Sequence, residues 1–184
     1  MDRNISDLVS SAKAGDKQAF GELYREYFAP IYRFVLFKTK HKETAEDITQ
    51  TAFARALGAM SNYRDKGVPF LSWLYTIARN LCLDHFKKKS DVVPADPDIW
   101  WAEVEGNLPA DKFSQAKETS EALWRAMEAL SDEQREVVVL RFIEEKSYAE
   151  IAQILKKNEE ALRALNYRAM KVLKDELGIM NYEL

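Results

Sequence analysis

Residues 147–177 read SYAEIAQILKKNEEALRALNYRAMKVLKDEL, two short amphipathic helices separated by only Lys156, Lys157 and Asn158. Ile151, Ala152, Ile154 and Leu155 form the apolar side of the first, and Leu162, Leu165 and Ala169 that of the second, at the three- and four-residue steps of a helix face. Small alanines allow the close crossing that a helix-turn-helix requires. Ser147 with Glu150 fits a capping box, in which two orphan backbone N–H groups are satisfied reciprocally, and Asn158 suits the cap of the second helix. The spacing predicts helices over 148–155 and 159–176. The second presents Arg163, Tyr167 and Arg168 outward, with Lys171 a turn further on. Arginine can bond a guanine edge or a phosphate, and tyrosine a phosphate or a thymine methyl, so this face suits duplex DNA. A tight helical hairpin is equally a common structural unit; what favours a binding face is an Arg-rich polar side in an otherwise acidic region.

Upstream, periodicity predicts two more helices, over 115–129 and 132–143, the latter opened by a second capping box at Ser131 and Gln134. Before them, residues 90–113 hold Pro94, Pro97 and Pro109, many acids and no sustained periodicity, which marks a connector. Trp100 and Trp101 are unusual there; the pair either docks on a domain or binds a partner. The N-terminal part is again helical. Asp16 is a candidate cap for a stripe of Ala19, Phe20, Leu23, Tyr24, Tyr27 and Phe28, which Pro30 is expected to break or kink before the apolar run 31–37. Thr44 with Asp47 resembles a capping box opening a helix over 45–60. SNYRDKGV, residues 61–68, reads as a loop, and Pro69 suits the first turn of a helix with Phe70, Trp73, Leu74, Ile77, Ala78 and Leu81 on one stripe. Trp73 shares that stripe and reads as core. The helix ends in the basic run Lys87, Lys88 and Lys89. No stretch alternates with the period of two that a half-buried strand needs, so the expected fold is all-α: two helical domains, 1–90 and 115–184, joined by an acidic linker over 91–114, with the helix-turn-helix in the second.

The net charge of −3 hides a segregated pattern. Residues 1–90 carry 15 Lys+Arg against 10 Asp+Glu, residues 91–118 carry 2 against 7, and residues 119–184 carry 10 against 13. A basic module is thus tethered to an acidic connector, a pattern that fits a nucleic-acid partner but also merely solubilises helices. No run reaches the roughly 18 apolar residues of a spanning helix, and MDRNISDLVSS lacks the apolar stretch of a secretory signal, so a cytoplasmic protein without membrane insertion is expected. The single Cys82 lies in an apolar helical stripe and reads as inert filler. His41 and His85 have no metal-ligand spacing with other His or Cys, and neither a Gly-rich phosphate loop nor a nucleophile elbow is present; no catalytic residues, metal or cofactor are expected.

Four stretches in order carry a family resemblance: AGDKQAFGELYREYFAPIYRFV, AEDITQTAFARAL, FLSWLYTIARNLCLDHFKKK and the segment from LSDEQREVVVLRF to RAMKVL. The first three resemble region 2, and the last region 4, of extracytoplasmic-function sigma factors of bacterial RNA polymerase. The resemblance implies a chain that binds core polymerase, through the clamp and flap, and directs it to promoters. It assigns Glu46, Asp47, Gln50 and Thr51 to docking on the clamp coiled coil, where carboxylates and amides on one helical face pair with a basic partner. Glu46 and Asp47 also complement the positive end of their own helix. It assigns Asn62, Tyr63, Arg64, Arg79, Asn80, Lys87 and Lys88 to the minus-ten element, whose melting requires unstacked bases to be captured and phosphates neutralised. Arg163, Tyr167, Arg168 and Lys171 fall to the minus-thirty-five element. An anti-sigma partner is implied as well, and the acidic linker would thread toward the polymerase's nucleic-acid channels. Region 4 departs from the common pattern: Lys156 stands where Gly is frequent, Ala161 where Thr is, and Ala164 and Leu165 replace a Ser-Arg pair, leaving Arg163 and Arg168 more of the contact. Two other readings compete. A helix-turn-helix regulator with a sensing domain over 1–90 predicts stable duplex binding by the protein alone; an adaptor predicts only protein partners.

Overall fold

The computed structural model describes residues 4–64, 69–88 and 122–178, apart from the side chain of Lys88. The linker 91–114 with Trp100 and Trp101, loop residues 65–68, Lys89 and residues 115–121 lie outside the described residues. Every regular element among those described is helical, and the chain divides into two compact units, Met1–Asp96 and Pro97–Leu184.

In the first unit, helix α1 (Ile5–Lys13) buries Leu8 and Ala12. Gly15 then adopts φ 96°, a region that costs a Cβ-free residue little, and so aims Asp16 at the next helix. The Asp16 carboxylate accepts from the N–H groups of Gln18 and Ala19 at 2.8 and 3.1 Å, the cap expected of it. Helix α2 (Lys17–Thr39) runs on through Pro30, so of the break or kink expected there no break occurs. Proline removes one helical bond and crowds the carbonyl four residues earlier, a cost of about 3 kcal/mol. Ile31, Tyr32, Phe34, Val35, Leu36 and Phe37, all buried just beyond it, offset this, because each such side chain contributes about 1.5–3 kcal/mol on burial.

Helix α3 (Lys42–Ala59) starts three residues earlier than expected. Its cap is His41, whose Nδ1 accepts from the Thr44 N–H at 3.4 Å, so the box at Thr44 and Asp47 does not form. Asp47 is one methylene shorter than the Glu of a true box, and Thr44 already sits inside the first turn. A 3-10 turn (Met60–Asn62) closes α3, and helix α4 (Phe70–Lys88) completes the unit. α2 packs on α1, α3 and α4, and α3 packs on α4. Their meeting face is aromatic: Tyr24 lies 4.7 Å from Phe53 between ring centroids, Phe28 stacks on Tyr32 at 5.8 Å, and Phe34 meets Tyr75 edge-on at 5.3 Å. Cys82 is buried in α4, as its stripe predicts.

The second unit has mostly shorter elements and a core that is aliphatic apart from Trp124 and Met127. Residues 122–128 are helical (α5), followed by α6 (Asp132–Val138), α7 (Tyr148–Leu155) and α8 (Glu159–Glu176). Both expected capping boxes form, with Ser131 N–H donating to Gln134 at 2.9 Å and Ser147 N–H to Glu150 at 2.8 Å. Arg135 ties α6 to the end of α5: its Nε donates to the Met127 carbonyl at 3.0 Å and its Nη2 to those of Glu128 and Leu130 at 3.2 and 2.9 Å. These carbonyls lie at the C-terminal end of α5, where intrahelical donors run out, and a cation suits the negative end of the helix dipole. The single helix expected over 132–143 is instead an α-helix that widens into a π turn, Val139–Ile143. The Glu144 N–H reaches back five residues to Val139 at 3.0 Å, and Glu145 follows at φ 52°, which ends the element.

Candidate nucleic-acid interface

α7 and α8 cross as a helix-turn-helix. Ile151, Ile154 and Leu155 on one side and Leu162, Leu165 and Ala169 on the other are all buried. The turn depends on Lys156, which adopts the left-handed conformation at φ 54° and ψ 45°. The N–H of Lys156 and, at 3.2 Å, that of Lys157 return to the Ala152 carbonyl. The Lys157 ammonium reaches Glu133 at the start of α6, 2.9 Å away. Asn158 then caps α8 by accepting from Ala161 N–H at 2.7 Å.

With Leu162, Leu165, Ala169 and Leu173 turned inward, α8 has its opposite face in solvent. Tyr167 is 74% exposed, and Arg163, Arg168 and Lys171 are exposed beside it, so all four sequence-predicted residues share one face. Three of the four are cationic. Arg163 does not extend freely: its Nη2 lies 3.1 Å from Glu159, and its guanidinium sits 4.4 Å from the Tyr148 ring centroid. Arg141 approaches the same ring at 5.3 Å. Tyr148 and Arg141 did not stand out in the sequence, because the π turn that sets Arg141 has no periodicity signal.

In the first unit, Ala45, Ile48, Thr49, Ala52, Phe53 and Ala56 turn inward from α3. Asp47, Gln50 and Thr51 are therefore exposed and Glu46 half-buried on the remaining arc. Leu57 is 47% exposed one to two turns further along this helix, an apolar group that charge-based reasoning passed over. On α4, Asn80 and Lys87 are exposed and Arg79 half-buried, and Asn62 and Arg64 are exposed at the start of the loop. Lys88 is within α4, and its side chain lies outside the described residues.

Tyr63 corrects the sequence reading. It is only 5% exposed, with ring centroids of Trp73 at 4.9 Å and Phe70 at 5.7 Å. Its ring is a wall of the core under the loop and offers no face for a base; loop position suggested exposure, but aromatic packing against α4 decides otherwise. Trp73 packs in the same cluster, in keeping with its place on the stripe. Among the described residues no group of His, Cys, Asp or Glu could hold a metal, and no helix is long and apolar enough to cross a membrane.

The chain matches the family model for Sigma-70 region 2 over residues 23–92 and that for Sigma-70, region 4 over residues 120–173. It is 38% identical over 172 residues to the ECF RNA polymerase sigma factor BldN of Streptomyces coelicolor, with 92% of this chain and 64% of that protein covered. It is 30% identical over 186 residues to the ECF RNA polymerase sigma factor SigW of Bacillus subtilis, with 96% and 98% covered. The fold is shared with CnrH, solved in complex with the cytosolic domain of CnrY, at a TM-score of 0.70 and 21% identity over 95% of this chain and 97% of that one. It is shared too with the sigma factor RpoE of Bartonella quintana, solved with the anti-sigma factor NepR, at a TM-score of 0.68 and 20% identity over 88% and 98%. Two regions matched in order, and a relative matched along nearly its whole length, place the chain: it belongs to the ECF sigma factors of RNA polymerase, which direct that enzyme to promoters.

Proposed function

We propose that the chain binds core RNA polymerase through the outer arc of α3, reads and melts the minus-ten element with the exposed groups of α4 and the loop before it, and contacts the minus-thirty-five element with the outer face of α8. The observation that supports this reading is the division of faces: on α3 and α8 the buried stripe takes most of the apolar residues, Leu57 and Tyr167 excepted, and the remaining arc holds the polar and charged groups assigned to partners. The domain limits 1–90, 91–114 and 115–184 belong to the same proposal. Asp47, Gln50 and Thr51 supply acceptors for a basic helical partner, with Leu57 adding apolar contact. Asn62, Arg64, Arg79, Asn80 and Lys87 supply hydrogen bonds and positive charge for a displaced strand. We infer an anti-sigma partner by analogy with the RpoE complex, and a cytoplasmic site of action from the polymerase that the protein serves.

The test is transcription in vitro with core polymerase of the source organism and a genomic promoter pool. Promoter-specific starts are expected with the protein and none without it; failure of the protein to co-purify with core would end the proposal. Asp47→Lys is expected to weaken core association at least tenfold, since a like charge placed against a basic partner costs several kcal/mol, while the melting temperature stays within about 2 °C because the side chain is exposed. A regulator acting alone would instead bind promoter duplex tightly without core.

A further inference from the structure

Two partners of opposite demand meet one nitrogen at the start of α3. His41 Nδ1 lies 3.4 Å from the Thr44 amide nitrogen and 3.1 Å from Thr44 Oγ1, and the same atom lies 3.2 Å from Glu43 Oε2. A bare Nδ1, with the ring proton on Nε2, accepts from the Thr44 N–H and repels the carboxylate. A protonated Nδ1 donates to the carboxylate and has nothing to offer an N–H donor. The two bonds are therefore mutually exclusive, and the proton decides between them. Imidazole is the side chain that ordinarily changes charge between about pH 5 and 8, and this one is open to solvent, with 40% of its side chain exposed. Among the described residues Glu43 is the ionised group that meets the ring; Lys38 and Lys40 at the end of α2 and Lys42 at the start of α3 flank it in the chain.

We propose that His41 is a proton-operated cap of α3: bare, Nδ1 holds the first turn through Thr44, and protonated, it turns to Glu43 and releases Thr44. The sign follows from two effects that add. A proton takes away the acceptor that an N-terminal N–H needs, and it places positive charge where the helix dipole is already positive. The cap is thus complete above the histidine range and is lost as pH falls through it. Ala45, Ile48 and Thr49 are buried just beyond and hold the rest of α3 in place, so the loosening is confined to the first turn. That turn leads directly into Glu46 and Asp47, so the inference rests on the core-docking reading of α3 and makes that docking weaker in acid.

The test follows the full chain by NMR from about pH 8 to about pH 6, then titrates it onto core polymerase at both ends of that range. The Thr44 amide resonance is expected to move with the same midpoint as the His41 ring resonances. Its protection from exchange, corrected for the pH dependence of exchange itself, is expected to fall about threefold, most of what loss of a helix cap brings. His41→Asn, a cap that does not titrate, is expected to keep its protection throughout. Other groups on both proteins also titrate, so the quantity read on core is a ratio: wild type is expected to lose about twofold to threefold more affinity in acid than His41→Asn. Should His41→Asn fail to fold by circular dichroism, Glu43→Gln takes its place; without the acid-side partner, Thr44 is expected to lose still more protection in acid and none in alkali. Three results would overturn the proposal: a Thr44 amide that does not follow the ring, equal loss of protection in wild type and His41→Asn, or protection lost while the affinity ratio stays at one. Wild-type chain that binds no core at either pH would instead remove the docking reading, with the amide titration still deciding the cap.

Discussion

The first unit is built from long helices of 23, 18 and 19 residues around stacked aromatic rings, whereas the second uses helices of 7, 8 and 18 residues and a π turn around Val, Leu and Ile. In a long helix the ends are a small part of the whole, and burial of one face carries the stability. That leaves the outer arcs of α3 and α4 free to be chosen for partners. In a helix of seven or eight residues most of the backbone N–H and C=O groups belong to an end, and each needs a partner from outside. The second unit accordingly shows two capping boxes, an Asn cap and an arginine spanning three carbonyls. Its exposed α8 face is less separable from the rest of the unit, as Arg163 shows by touching Tyr148 and Glu159.

The contrast can be broken most forcefully at Phe34, fully buried against Tyr75. Phe34→Ala is expected to cost about 3–5 kcal/mol, read as accelerated amide exchange through α2, α3 and α4. A loss below about 1 kcal/mol would mean that rings do not carry the first unit. The counterpart in the second unit is Ser147→Ala, which removes one half of a capping box; about 1 kcal/mol is expected, read from urea denaturation and exchange in α7. On the outer arc of α4, Asn80→Ala is expected to leave stability within about 0.5 kcal/mol while slowing open-complex formation, measured by permanganate reactivity of the melted strand. The smallest effect concerns the turn: Lys156→Gly relieves a left-handed residue and is expected to stabilise by about 0.5–1 kcal/mol, seen as a rise of a few degrees in melting temperature.

What could be read from residues alone follows the same division. Caps are local, so Asp16, Ser131, Ser147 and Asn158 were legible from a window of four residues. The apolar stripes of α3 and α8 were legible too, and with them the arcs left in solvent. The break at Pro30 did not occur, because a local penalty is outweighed by the tertiary burial beyond it. Thr44 was misread because a histidine can cap through its ring nitrogen, a rarer solution than Ser or Thr. Tyr63 was misread because loop residues are exposed only until a neighbouring helix claims them, here with Phe70 and Trp73. The cluster at Tyr148 needed three elements in place at once, which no window of sequence contains.

The π turn at Val139–Ile143 fits one residue more into its loop than an α turn would, and an α-helix rotates by about 100° per residue. Deleting a single residue there would restore regular helix and re-aim the side chains within the turn, Arg141 among them. In this family a gap of one position opposite residues 139–143 would therefore be no neutral change of loop length. It would distinguish relatives able to set an arginine against the ring at position 148 from those that cannot.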